Sequence, residues 1–248
     1  MNEGESIDHP QHGRGSFATT RWSLIALAGV GQSPDAVRAL NELCQTYWYP
    51  LYCYIRRRGS APADAEDLVQ GFFAQLLEKD LFGQADPHKG RLRGFLLSSL
   101  RYYLSDERKS ASTEKRGGQI KFLPIDTTDA EARYAGEPAD NASPDRLFER
   151  RWAALILQRA VATLGEMWSK EGKGDLYAAL SPHLFNQLDG STTTNIALRF
   201  GMSESNVKVS LHRLRERYRA ELRREIAETV TSESELEAEI AALRAALL

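Results

Sequence analysis

Three groups of side chains in this chain have types and spacings suited to chemistry with a macromolecular partner. Asp64, Glu66, Asp67 and Gln70 fall in one short stretch. Carboxylates so dense either cap a helix or meet a basic partner. No further ligand cluster accompanies them, so no divalent-cation site is expected. The second group is Arg91, Arg93, Arg101, Arg108, Lys109, Lys115 and Arg116, interleaved with Tyr102 and Tyr103. Cations pair with phosphates and rings stack on bases, which suits unpaired DNA. A core aromatic pair beneath a solvated basic face would use the same residues. The third group is Lys208, His212, Arg213, Arg215, Arg217 and Arg219, preceded by Ser203, Ser205 and Asn206. The histidines His9, His12, His88, His183 and His212 have no ligand spacing, and no phosphate-binding glycine loop or nucleophile motif occurs. No enzyme activity, metal or cofactor is expected.

The third group needs two helices and a corner to position it. Ile196, Ala197 and Phe200 mark a first short helix, and Gly201 can end it in the left-handed conformation. Ser203 can cap the next helix. Val207, Leu211, Leu214 and Tyr218 form one apolar stripe of that helix, with the basic residues lying away from it. The stretch 192–219 therefore reads as a helix-turn-helix whose second helix is aimed at a DNA major groove. An ordinary helical hairpin with a solvated basic face is the plainer alternative.

The second and first groups sit on earlier helices. A long helix is expected over Ala36 to Arg58, with Leu40, Leu43, Tyr47, Leu51, Tyr54 and Ile55 on its apolar side. Pro50 should kink or split it. In the next helix Asp64 is the expected N-cap, and Leu68, Phe72, Leu76 and Leu77 are the buried stripe. Phe95, Leu96, Leu100 and Leu104 give the aromatic basic helix its core face. The pattern then dissolves, with seven acids against two arginines between Pro124 and Glu149. That composition reads as an extended acidic linker. A helix over Arg146 to Leu164 follows, then another with Met167 and Trp168. Ser232-x-x-Glu235 is a capping box that opens a last helix striped by Leu236, Ile240, Leu243 and Leu247. That helix needs a surface for its stripe and is expected to fold back onto the second domain, with docking on a partner as the alternative.

The expected fold is all-α: two small helical domains joined by an extended acidic linker, the second a helix-turn-helix, plus a C-terminal amphipathic helix. The boundaries are a polar tail at 1–18, a first domain at 19–118, the linker at 119–145, a second domain at 146–230 and the extension at 231–248. The 248 residues are 42% hydrophobic and 27% charged, with a formal net charge of −2. That balance fits a globular protein with local basic patches rather than a wholly basic nucleic-acid coat. Two cysteines, Cys44 and Cys53, lie on one expected helix roughly 13 Å apart along its axis, too far to bridge. A reducing cytoplasmic setting fits. No apolar run reaches the ~18 residues of a membrane span.

The combination of DAEDLVQGFFAQLL (64–77), RGFLLSSLRYYLSDERK (93–109) and NIALRFGMSESNVKVSLHRLRERYR (195–219) resembles the extracytoplasmic-function (ECF) group of bacterial sigma-70 type RNA polymerase sigma factors. Gly71 stands where the family usually has an acidic residue, and Tyr102 where it often has asparagine. The resemblance implies that Asp64, Glu66, Asp67 and Gln70 bind the clamp helices of the polymerase β′ subunit. It implies that Arg93, Arg101, Tyr102, Arg108 and Lys109 meet the −10 element as it melts. It implies that the second domain sits on the β flap and sets Ser203, Ser205, Asn206, Lys208, His212 and Arg213 near the −35 element, with Arg215 and Arg219 nearer phosphates. Core polymerase and promoter DNA are the implied partners, together with an anti-sigma protein or other regulator. Initiation of transcription is the implied function. The rival expectation is a stand-alone helix-turn-helix repressor or activator that binds duplex DNA without polymerase.

Overall fold

A computed structural model of the chain describes residues 34–79, 81, 86, 91–111, 130–137, 142–230 and 232–248. The expected tail at 1–18, the start of the expected first domain, His9, His12, His88, Lys115, Arg116 and much of the expected linker lie outside the described residues. The described residues form nine α-helices and one 3-10 turn, with no strand among them.

The first helix, α1, runs Pro34–Arg57 without interruption through Pro50. The expected kink or split is not a break, because tertiary packing outweighs the local cost of one missing hydrogen bond. From Thr46 to Ile55 every residue is buried, so this stretch of α1 is enclosed on all sides rather than along one stripe. Cys44 and Cys53 are free and buried there. Burial pushes the Cys53 thiol up to about 11, which leaves it unreactive.

Helix α2 spans Pro62–Glu78. Pro62 opens it after an extended Ala61, so Ala61, not Asp64, holds the N-cap position. Its buried face is Ala65, Val69, Phe72, Phe73 and Leu76; Leu77, expected in the core, is exposed. Helix α3 spans Leu92–Ala111 and leans on α2 through Tyr103 against Phe72, ring centroids 5.9 Å apart.

A short helix, α4, occupies Ala130–Ala135. This part of the expected linker is therefore helical and docked, not extended. The reason is that its acids find arginines. Glu131 accepts from Arg56 Nη2 at 2.6 Å and from Nε at 2.9 Å, and Tyr52 Oη donates to it at 2.5 Å. Arg133 lies 3.8 Å from the Tyr49 ring centre, and Arg56 lies 4.9 Å from that of Tyr134. Glu137 pairs with Arg151 and accepts from Tyr49 Oη at 3.0 Å.

Helix α5 spans Pro144–Lys170, 27 residues or about 40 Å, where two helices had been expected. Ser143 caps it by accepting from Arg146 N at 3.2 Å. Gly165 does not break it. A Cβ there would come within 3.0 Å of the Tyr177 ring, and Tyr177 Oη instead donates to the Val161 carbonyl at 2.5 Å. The rest of the chain is α6 (Gly174–Leu180), a 3-10 turn (Ser181–His183), α7 (Gly190–Phe200), α8 (Glu204–Ala227) and α9 (Glu233–Leu247).

Two hydrophobic clusters organise these helices, and α5 is the strut common to both. The first takes Leu147, Phe148, Trp152 and Ile156 of α5 with α1 to α4, Ile226 at the end of α8, and Leu236, Leu243 and Ala246 of α9. The second takes Ala160, Leu164 and Trp168 with Leu180, Ile196, Ala197, Val207, Leu211, Leu214 and Tyr218. Helix α9 folds back as expected, packed on α5 and α8. It also reaches the first cluster, on the far side of the segment read as a linker.

Candidate nucleic-acid interface

The corner between α7 and α8 is built by backbone chemistry. Asp189 caps α7, its carboxylate accepting from Thr192 N at 2.7 Å and from the hydroxyls of Ser191 and Thr192. Those bonds, the backbone one first, hold its pKa at about 2. Sequence reasoning began this helix at Thr192 and missed the cap, although Asp189-Gly190-Ser191-Thr192 is a capping signal. Gly201 ends α7 at φ 61°, in the left-handed region. The Met202 N–H then reaches back to the Ala197 carbonyl at 3.0 Å, as in a Schellman cap. Ser203 caps α8 by accepting from Asn206 N at 3.2 Å. Thr194 donates to Glu204 at 2.6 Å and ties the two helices at the corner.

With the corner fixed, Ser205, Asn206, Lys208, His212, Arg213 and Arg219 of α8 are exposed. Lys208, His212 and Arg213 make no hydrogen bond or ion pair with any described residue. Ser205, Lys208, His212 and Arg219 recur at three, four and seven residues and share one face. Arg219 pairs with Glu216 on the same helix. Arg215, expected near phosphates, points elsewhere. Its guanidinium donates to the carbonyls of Leu184 at 3.0 Å, His183 at 2.9 Å and Asn186 at 2.5 Å. The carbonyls of that turn have no helix N–H to accept from, and a forked donor satisfies three at once.

The acidic group lies on the outer side of α2. Asp64 and Asp67 are exposed, and Glu66 and Gln70 are half-buried. Neither Asp64 nor Asp67 makes a hydrogen bond or ion pair with a described residue, and the N-cap belongs to Ala61. Capping therefore does not account for them. A cleft of about 420 Å³ brings both carboxylates together with Arg58, Leu104, Glu107 and Arg108.

Helix α3 divides its expected contact residues. Tyr102 is 68% exposed, whereas Tyr103 is buried, so the tyrosine pair is split between surface and core. Arg108 is exposed, and the Lys109 side chain lies outside the described residues. Arg101 donates to Tyr54 Oη at 3.3 Å and pairs with Asp145, both partners of that ion pair half-exposed.

Arg93 is the clear departure from expectation. It is 5% exposed, pairs with Glu239 of α9, and lies over the Trp152 ring, 4.2 Å from its centre. Its Nε is 2.6 Å from Glu149 Oε2, a charge contact that lacks hydrogen-bond geometry. Burial lowers its pKa, and Glu149 opposes that shift. A residue so enclosed does not touch DNA in this conformation. Glu239, 1% exposed, also holds Arg91 at 2.9 Å. Sequence reasoning missed Glu149 and Glu239 as its partners, because nothing local to any of the three residues signals the contact.

No group of three or more His, Cys, Asp or Glu side chains among the described residues is placed to hold a metal, and no described helix is long and apolar enough to cross a membrane. Comparisons of the chain with protein-family models, with curated proteins and with solved structures found no match.

Proposed function

We propose that this chain is a sigma factor of the ECF kind, which binds core RNA polymerase and directs it to promoters. The observation that carries the reading is the exposed pair Asp64 and Asp67, unpaired among the described residues, within DAEDLVQ on a helix whose other face is core. Two carboxylates side by side with no ion-pair partner among the described residues favour a basic partner, the role this reading gives the polymerase clamp. On this reading α7 and α8 form a helix-turn-helix. Ser205, Asn206, Lys208, His212 and Arg213 face base edges of the −35 element, Ser203 caps the helix, and Arg219 lies nearer phosphates. Arg215 holds the turn before α7 instead of touching phosphate. Tyr102 offers a ring to an unstacked base at the −10 element, and Arg101, Arg108 and Lys109 offer charge to its backbone. Arg93 is available to DNA only if its burial is relieved.

The rival, a regulator that binds duplex DNA unaided, draws support from the unpaired cations of α8 beside the paired arginines of α3. Run-off transcription with purified core polymerase on a genomic fragment library separates the two. Specific initiation that requires the protein supports the sigma reading. Sequence-specific duplex binding without initiation supports the rival.

A further inference from the structure

Helix α8 carries one side chain that neither the core nor the charges around it explain. Among the described residues of α8, Val209 is the one large apolar side chain left exposed, at 43%. A lone valine at a surface is ordinary, and what distinguishes this one is its place. By helical geometry it lies about 170° round α8 from the buried stripe of Val207, Leu211, Leu214 and Tyr218. Ser205 and Arg213 stand one turn before and after it, Lys208 precedes it, and His212 follows three residues on. Valine does not help the helix there, because a β-branched side chain is a weaker helix former than the alanine, lysine or glutamate an outer face can carry.

We propose that Val209 is a specificity-determining residue, packing on the C5-methyl group of one thymine in the DNA that α8 binds. This rests on the helix-turn-helix reading proposed above and goes beyond it by naming the base. The face has the shape for such a contact. Ser205 and Val209 are short and form its ridge, and the longer Lys208, His212 and Arg213 flank them. A helix with a short ridge and long flanks lies deep in a major groove, its centre against base edges and its flanks reaching further base atoms and phosphates. Lys208, His212 and Arg213 make no hydrogen bond or ion pair with a described residue, so no such contact ties them down over the ridge.

The chemistry of the groove selects the base. Every base pair shows hydrogen-bonding atoms there, and the thymine methyl is the apolar feature among them. The valine side chain has no donor or acceptor. Set against polar base atoms it would displace their water and leave them unpaired, which is unfavourable. Set against the methyl it buries apolar surface on both sides. A valine in a helix holds essentially one χ1 state, so little side-chain freedom is lost on contact. The residue therefore discriminates twice, by attraction at thymine and by desolvation elsewhere.

The test uses the full chain with core polymerase and a promoter drawn from the genomic fragment library. Each thymine of its upstream element, on either strand, is replaced singly by deoxyuridine, which removes the methyl and keeps every hydrogen-bonding atom. Competition for complex formation reads the affinity. With the parent chain one replacement should weaken binding roughly fourfold, the contribution of about one buried methyl. Val209→Ala should bind the thymine promoter more weakly by a similar or larger factor, and the same deoxyuridine should then make no further difference. Alanine is the better helix former, so the variant keeps its fold, and equal helix content by circular dichroism confirms it. An upstream element without thymine, no response of the parent chain to any deoxyuridine, or an equal response from Val209→Ala overturns the proposal, while specific initiation leaves the sigma reading standing. Absence of initiation strikes the sigma reading instead, and the same comparison on duplexes selected by the chain alone still decides the role of Val209. Absence of any specific duplex there as well overturns the proposal too.

Discussion

Arg93 of α3 and Glu239 of α9 form an ion pair across 146 positions of sequence. Glu239 is the carboxylate for both Arg91 and Arg93, and it is enclosed. Glu239→Ala leaves Arg93 in a nearly dry site with Glu149 alone beside it, and the partly exposed Arg91 without this carboxylate. Removing one partner of a buried pair costs about 3–5 kcal/mol. Urea denaturation followed at 222 nm should show that loss, and a change below about 1 kcal/mol would mean that water already reaches the pair.

Trp152 links the first hydrophobic cluster to this charge network, since it is fully buried and carries Arg93 on its ring. Trp152→Ala should cost about 3–5 kcal/mol through cavity formation, more than Trp152→Phe. The midpoint of chemical denaturation reports it.

Gly201 has open space around its missing side chain, so its requirement is conformational alone. Gly201→Ala should cost about 1–2 kcal/mol, the penalty of a left-handed alanine, and Gly201→Asn less. Thermal unfolding of the three proteins should rank glycine, asparagine, alanine.

The docking of α4 should depend on pH. Hydrogen bonds from Arg56 and then Tyr52 hold the Glu131 carboxyl below its ordinary value. A depressed folded pKa stabilises the docked form above the unfolded value, near 4.3, and that stability is lost as pH falls through the folded value. Protection of the α4 amides, taken relative to the intrinsic exchange rate at each pH, should therefore fall below about pH 4. Glu131→Gln should exchange faster at neutral pH and lose the dependence.

The elements that were legible in the sequence were those fixed by local rules. Gly201 and Ser203 marked the corner, Ser232 capped α9 by accepting from Glu235 N, and the stripe of α8 was buried as spaced. What escaped depended on distant partners. Pro50 reads as a break, yet it is buried in an unbroken α1 that packs on α5 and α2. The acids Glu131 and Glu137 read as a linker until Arg56 and Arg151 meet them. Arg93 and Arg215 read as surface cations, yet one is buried against Trp152 and the other is spent on three carbonyls. In each case long-range packing overrode the reading that local spacing favoured.

The most direct test of the central claim is run-off transcription with core polymerase and the Asp67→Arg variant beside the parent protein. Asp67 is exposed and makes no ion pair with a described residue, so the substitution should leave the fold intact. The sigma reading predicts promoter-specific transcripts with the parent and a loss of at least about tenfold with Asp67→Arg, a difference of about 1.4 kcal/mol in polymerase binding. Undiminished transcripts from the variant, or none from either protein while both bind duplex DNA without polymerase, would contradict it.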